Sequence, residues 1–171
     1  VLMVLVVVYY FALPKELFND PYATVLNDFR GELMSARIAA DGQWRFPPIT
    51  QVPEKYEKAL LTFEDQHFYK HPGVNPFALG RALWQNVTEG EVVSGGSTIS
   101  MQVIRMYRKG KGRTFQEKLT ELVLATRLEL RYTKSSILQL YASHAPFGGN
   151  TVGLNAASWR YFQRPPENLS W

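Results

Sequence analysis

Glu64 and Asp65 are adjacent carboxylates that end a helical pattern after Phe63 and precede the loop Gln66-His67-Phe68-Tyr69-Lys70-His71-Pro72-Gly73. Acids at a helix C-terminus oppose the macrodipole, so local helix stability does not favour them there. Beside an aromatic, partly desolvated wall, Glu64 would have a raised pKa and could act as a general base. A second group is Gly95-Gly96-Ser97-Thr98. Two glycines let the backbone approach a ligand, and the N–H groups of a following helix could meet an anion. The Gly-Lys-Ser/Thr of a nucleotide-binding loop is missing. Lys118 and Glu121 form a third group, neighbours on one helix face at i, i+3. Arg105, Arg108, Lys109, Lys111, Arg113 and Lys118 crowd into one stretch whose only acid is Glu117. Such a stretch is either a solvated loop or a surface for phosphates, in nucleic acid or in lipid diphosphates. Read singly, these groups also have plain meanings: a solvated acidic pair, a helix cap and a surface ion pair. His67, His71 and His144 lack metal-ligand spacing, and the absence of cysteine excludes disulfides, thiolate zinc sites and cysteine nucleophiles.

The elements that must position these groups can be read in order. The chain has 171 residues, of which 46% are hydrophobic and 13% aromatic, which suits one folded domain with short appendages. Val1 to Leu13 is an unbroken apolar run closed by Pro14 and Lys15. Thirteen helical residues fall short of the roughly 20 that span a bilayer, so the run reads as the C-terminal part of a transmembrane anchor. Tyr9, Tyr10 and Phe11 suit the membrane interface. From residue 14 to 52 the composition is mixed, a juxtamembrane linker in which Asp28-Phe29-Arg30-Gly31 should close a hairpin between Thr24–Asn27 and Glu32–Ile38. From Pro53 onward the period is helical. Tyr56, Ala59, Leu60 and Phe63 fall at i, i+3, i+4, i+7, and a second helix is predicted over Pro76–Val87. A third should follow Gly95-Gly96 with Ser97 as its N-cap. The longest is predicted over Thr114–Tyr132, with Leu119, Leu122, Val123, Thr126 and Leu130 on one apolar stripe. Shorter helices follow at Ser135–Tyr141 and Gly153–Phe162.

The order of these groups is more specific than any of them alone. Glu64-Asp65-x-x-Phe68-x-x-His71-x-Gly73 resembles the first motif of the peptidoglycan glycosyltransferases, the glycan-polymerising half of class A penicillin-binding proteins. Gly95-Gly96-Ser97-Thr98-Ile99-Ser100-Met101-Gln102 resembles the second motif and Lys118-x-x-Glu121 the third. Lys134-x-x-Ile137-Leu138-x-x-Tyr141 is similar to the fourth and Gly153-x-x-x-Ala157-x-x-x-x-Phe162 to the fifth. The segments Asp41–Pro48 and Ala145–Gly149, with Met101, look most like the C-type branch. Where the family's third motif usually carries Arg before its Lys, this chain has Glu117. Gln139, Ser143, Val152 and Gln163 also depart from the family pattern.

The resemblance implies a mainly α, lysozyme-like helical domain over residues 53–171, with a short hairpin before it and a membrane-proximal jaw. It implies polymerisation of lipid II onto a lipid-linked glycan chain, with inversion and undecaprenyl diphosphate as leaving group. Glu64 is carried over as the catalytic base and Glu121 as the second family carboxylate, which would orient Lys118 or touch a divalent ion. Asp65, Phe68, His71, Arg81, Ser97, Thr98, Gln102 and Lys118 are carried over as substrate-binding residues. No tightly bound cofactor is expected, although a divalent cation (magnesium or manganese) could assist. The implied setting is the outer face of a bacterial cytoplasmic membrane, with a transpeptidase domain in the full-length chain and no nucleic-acid partner. A lytic glycan-cleaving enzyme and a non-catalytic wall-binding module are the alternatives.

Overall fold

The computed structural model describes residues 2–90, 95–112 and 114–170. Among them are seven α-helices: α1 (Leu2–Tyr10), α2 (Glu54–Glu64), α3 (Pro76–Glu89), α4 (Ile99–Tyr107), α5 (Phe115–Glu129), α6 (Lys134–His144) and α7 (Leu154–Phe162). Four short strands accompany them: β1 (Thr24–Asn27), β2 (Leu33–Arg37), β3 (Trp44–Arg45) and β4 (Thr151–Val152). The protein is therefore mainly α with a small hairpin, as the helical periods predict. Its chain forms two compact units, Val1–Leu17 with Leu60–Ile137, and Phe18–Ala59 with Leu138–Trp171. Residues 18–52 belong to the second unit, and residues 53–171 contribute to both.

In that second unit, β1 and β2 pair antiparallel with Val25 opposite Ala36. The turn forms because Asp28 Oδ1 accepts the N–H groups of Arg30 and Glu32, each at 2.8 Å. Gly31 then takes φ +86, which a glycine adopts without penalty. Ala23, Phe46 and Ala156 form a buried cluster against which Val25, Leu33, Ala36, Trp44 and Trp159 pack. The hairpin is held there by α7. β3 and β4 pair in parallel across more than a hundred residues of sequence, and at two residues each they leave no periodic signal to read.

His144, the last residue of α6, stacks on Phe18 with ring centroids 3.7 Å apart. Its Nδ1 bonds the Leu140 carbonyl at 2.9 Å, while Nε2 is buried with no hydrogen-bond partner among the described residues. Burial lowers the His144 pKa from its ordinary value, outweighing the Leu140 hydrogen bond and the Asp20 charge, which act the other way. The folded chain therefore resists a proton that the unfolded chain accepts below about pH 6.5. Stability should fall as pH drops through that value and level off below the folded-state pKa. His144→Gln should flatten this acid slope. Melting temperatures of both proteins between pH 7.5 and 5 check it, and parallel slopes would refute the assignment.

The first unit is built around α4, whose Ile99, Met101, Val103 and Ile104 are completely buried. It packs on α5, but with the face opposite to the predicted stripe turned inward. Glu121, Leu124, Ala125 and Leu128 are buried, whereas Leu119, Val123 and Leu130 are exposed. No residue of α1 is buried. Its end is nevertheless tied to α5: Tyr9 Oη and Thr126 Oγ1 lie 2.9 Å apart, and Arg127 donates twice to the Tyr10 carbonyl at 3.0 and 2.9 Å. One turn on, Arg131 donates to the carbonyls of Leu13, Pro14 and Lys15. No helix among the described residues is long and apolar enough to cross a membrane.

Candidate active site

Each site residue expected from the sequence lies in the first unit. Glu64 closes α2 and is exposed. Gln102, on α4, donates Nε2–H to Glu64 Oε2 at 2.6 Å. The carboxylate lines a cavity of about 330 Å³ together with Asp65, Asn75, Arg81, Ser97 and Thr98. Of the aromatic neighbours expected around Glu64, Phe63 lines the same cavity, joined there by Phe77 of α3, while Phe68 does not. Phe63 is 88% exposed, and Phe68 is buried in a three-residue 3-10 turn, Phe68–Lys70.

Asp65 and His71 are turned inward. His71 Nε2 lies 3.0 Å from both Asp65 carboxylate oxygens, and Asp65 Oδ2 also accepts the N–H of Ile99 at 3.2 Å. Ile99 is the first residue of α4, so the Asp65 carboxylate sits where a helix dipole favours it. This couples the loop after Glu64 to the helix that carries Gln102. Thr98, not Ser97, is the N-cap of α4: its Oγ1 accepts the Met101 N–H at 3.2 Å and donates to the Gly73 carbonyl at 2.6 Å. That frees Ser97 for the cations. Lys118 Nζ donates to Ser97 Oγ at 2.5 Å and an Arg105 Nη does so at 3.3 Å.

Glu121 is 4% exposed, and both its oxygens accept from Arg105, from Nε at 2.7 Å and from Nη at 2.8 Å. The i, i+3 partner Lys118 stands farther off, 3.7 Å from Glu121 Oε2. Arg105 was visible in the sequence only as one member of the basic stretch. Its role comes from spacing on α4: Gln102 and Arg105 are three residues apart, so one helix face reaches both Glu64 and Glu121. Arg113 of that stretch lies outside the described residues. A protein-held divalent ion does not fit here, because the Glu121 oxygens are engaged by a guanidinium. Among the described residues no three His, Cys, Asp or Glu side chains gather to hold a metal.

Lys134 braces the loop that follows Glu64. Its Nζ donates to the His71 carbonyl at 2.7 Å and to Glu129 at 2.8 Å, and it lies 4.3 Å from the Phe68 ring centroid. Glu129 also accepts from Ser100 Oγ at 2.5 Å. Gly73 lets this loop meet α5. At φ +90, a Cβ on Gly73 would stand 2.6 Å from the Ala125 carbonyl oxygen. Gly73→Ala should destabilise the protein by about 1–3 kcal/mol or more, from overpacking plus backbone strain. Urea denaturation checks this. An unchanged midpoint would show that the loop can leave α5 at no cost.

The family model described as Transglycosylase matches residues 31–171. The chain is 49% identical over 133 residues to penicillin-binding protein 1C of Escherichia coli (strain K12), covering 77% of this chain and 17% of that protein. It is 34% identical over 143 residues to penicillin-binding protein 4 of Bacillus subtilis (strain 168), covering 84% and 23% respectively. To penicillin-binding protein 1B of Escherichia coli (strain K12) it is 36% identical over 143 residues, 81% of this chain and 17% of that one. The chain thus spans about a fifth of the length of these relatives. Five motifs in family order, the family match over most of the chain and this similarity to penicillin-binding proteins together establish that the chain belongs to the transglycosylase family, the peptidoglycan glycosyltransferase domains.

Proposed function

We propose that this domain polymerises lipid II into glycan strands, with Glu64 as general base and undecaprenyl diphosphate as leaving group. The observation that carries this reading is the reach of α4, which joins Glu64 through Gln102 and Glu121 through Arg105. The 4-hydroxyl of lipid II attacks C1 of the lipid-linked chain from the face opposite the diphosphate, so the configuration inverts. Its proton passes to Glu64 as the new C–O bond forms. The bond from C1 to the diphosphate oxygen breaks, and the electron pair leaves with the diphosphate. Arg105 and Lys118 are the cations that stabilise that charge, with Arg81 on the cavity wall as a third. Glu121 holds Arg105 in place, and Asp65 and His71 position the loop and helix from below.

The remaining partners belong to the same proposal: a lipid-linked glycan chain, the outer face of the cytoplasmic membrane and a transpeptidase domain in the parent protein. Phe77, Trp84 and Val87, exposed along α3, are the side chains a membrane-proximal jaw would present. Incubating the protein with labelled lipid II in detergent tests the reading. Polymer is the expected product. Cleavage of preformed glycan without polymer would show a lytic enzyme, and binding without turnover a wall-binding module.

A further inference from the structure

We propose that the Arg108–Glu117 ion pair is a positioning device for the cationic side of the site, locking the end of α4 to the first turn of α5. The inference rests on the glycosyltransferase reading. Arg108 is the C-cap of α4, and its Nε and one Nη donate to the two Glu117 oxygens, the latter at 2.9 Å. The two side chains are 23% and 15% exposed, so the fork is partly shielded from solvent. Arg108 lies one turn after Arg105, and Glu117 immediately precedes Lys118. Whatever fixes this pair fixes the two helices from which Arg105 reaches Glu121 and Lys118 reaches Ser97.

Two further observations point the same way. Thr114 caps α5 by accepting the Glu117 N–H at 3.1 Å, so Thr114-x-x-Glu117 has the sequence of a capping box. In a capping box the glutamate would reach back to the N–H of Thr114. Here that N–H goes to the Gly112 carbonyl at 2.7 Å and the carboxylate goes to Arg108. Immediately after Arg108, the chain takes two successive left-handed residues, Lys109 at φ +56 and Gly110 at φ +62. A lysine there is disfavoured and persists where its surroundings determine it. Here the Lys109 N–H bonds the Met106 carbonyl at 3.0 Å and the Gly110 N–H the Arg105 carbonyl at 3.1 Å, which closes α4 beside the fork, and the Arg108 guanidinium holds the Glu117 carboxyl below the ordinary carboxylate range. Glu117, at the position where the family's motif usually has arginine, also offsets the mutual repulsion of Arg105, Arg108 and Lys118.

The test uses Arg108→Glu, Glu117→Arg, the double charge swap and the conservative Glu117→Gln in the full chain. It reads kcat and KM for lipid II and, separately, the Kd of farnesyl diphosphate by calorimetry. Each single reversal should raise Kd and lower kcat/KM about fivefold, the upper range for a partly exposed pair. Glu117→Gln should weaken binding less, and the double swap should restore most of it. Long-range charge alone predicts something different: Glu117→Arg, which adds positive charge, would then bind the diphosphate more tightly. Tighter binding by Glu117→Arg, or a double swap as weak as the singles, overturns the proposal. Should Glu117→Arg fail to fold, wild-type affinity in Glu117→Gln does the same. If the wild type binds farnesyl diphosphate yet makes no polymer, the glycosyltransferase reading fails while the calorimetry still judges the pair.

Discussion

Glu64→Gln is expected to abolish measurable polymerisation while the protein melts as before. Glu64 is exposed at the end of α2, and its one described contact there is the 2.6 Å bond from Gln102. A glutamine keeps the shape and offers Gln102 a carbonyl oxygen in place of the carboxylate oxygen. It also removes a negative charge from a helix C-terminus, where the dipole disfavours it, so stability should hold or rise slightly. What the amide lacks is a site for the hydroxyl proton. Losing a general base typically slows a reaction by about 10²–10⁴. The effect should fall on kcat, with binding of a lipid diphosphate unchanged, because the cations on α4 and α5 are untouched. Gln102→Ala should cost less, since it removes a group that orients the base and leaves the base itself. Polymer formed from labelled lipid II, read beside a thermal melt, decides the matter. Wild-type turnover in a folded Glu64→Gln protein would move the base elsewhere.

The sequence displays the order of this site better than its orientation. Asp28 and Gly31 specify their turn by chemistry that acts within four residues, and the hairpin is where they place it. The helices likewise fall close to their predicted bounds because caps such as Asn75 and Thr114 and breakers such as Gly90 act locally. The long helix α5 shows where this runs out. It carries Leu119, Leu122, Val123 and Leu130 on one side and Leu124, Ala125 and Leu128 on another. Periodicity cannot choose between two apolar faces. The choice is made by a distant residue, Gly73, whose missing side chain lets its loop lie against Ala125. Turning that face inward carries Glu121 in with it, toward Arg105. Thr98 rather than Ser97 caps α4 for a similar reason: either residue type can cap a helix, and the Gly73 carbonyl, which accepts from Thr98, decides.

Glu121 is therefore a carboxylate on the buried stripe of a helix whose other members are Leu124, Ala125, Leu128 and, at its edge, Arg127. Taking a charge out of water is costly unless it is paired, and the Arg105 fork at 2.7 and 2.8 Å supplies the pairing. Glu121→Gln keeps the volume but sets an NH2 group against a guanidinium that can only donate. One of the two bonds must break, and Arg105 is released toward solvent, as its 33% side-chain exposure allows. A hydrogen bond to a charged group contributes about 1.5–3 kcal/mol, so kcat/KM should fall about 10–10²-fold if Arg105 meets the diphosphate only when held. The same variant should melt at lower temperature, because a buried polar contact is lost as well. Melting alone cannot separate a catalytic from a structural role; the Kd for farnesyl diphosphate can. It should rise in Glu121→Gln and stay at the wild-type value in Glu64→Gln, one variant having lost the hold on a cation and the other a proton acceptor. If Glu121→Gln melts early yet keeps both its kcat/KM and its diphosphate affinity, Glu121 braces the fold and Arg105 does not need it to act.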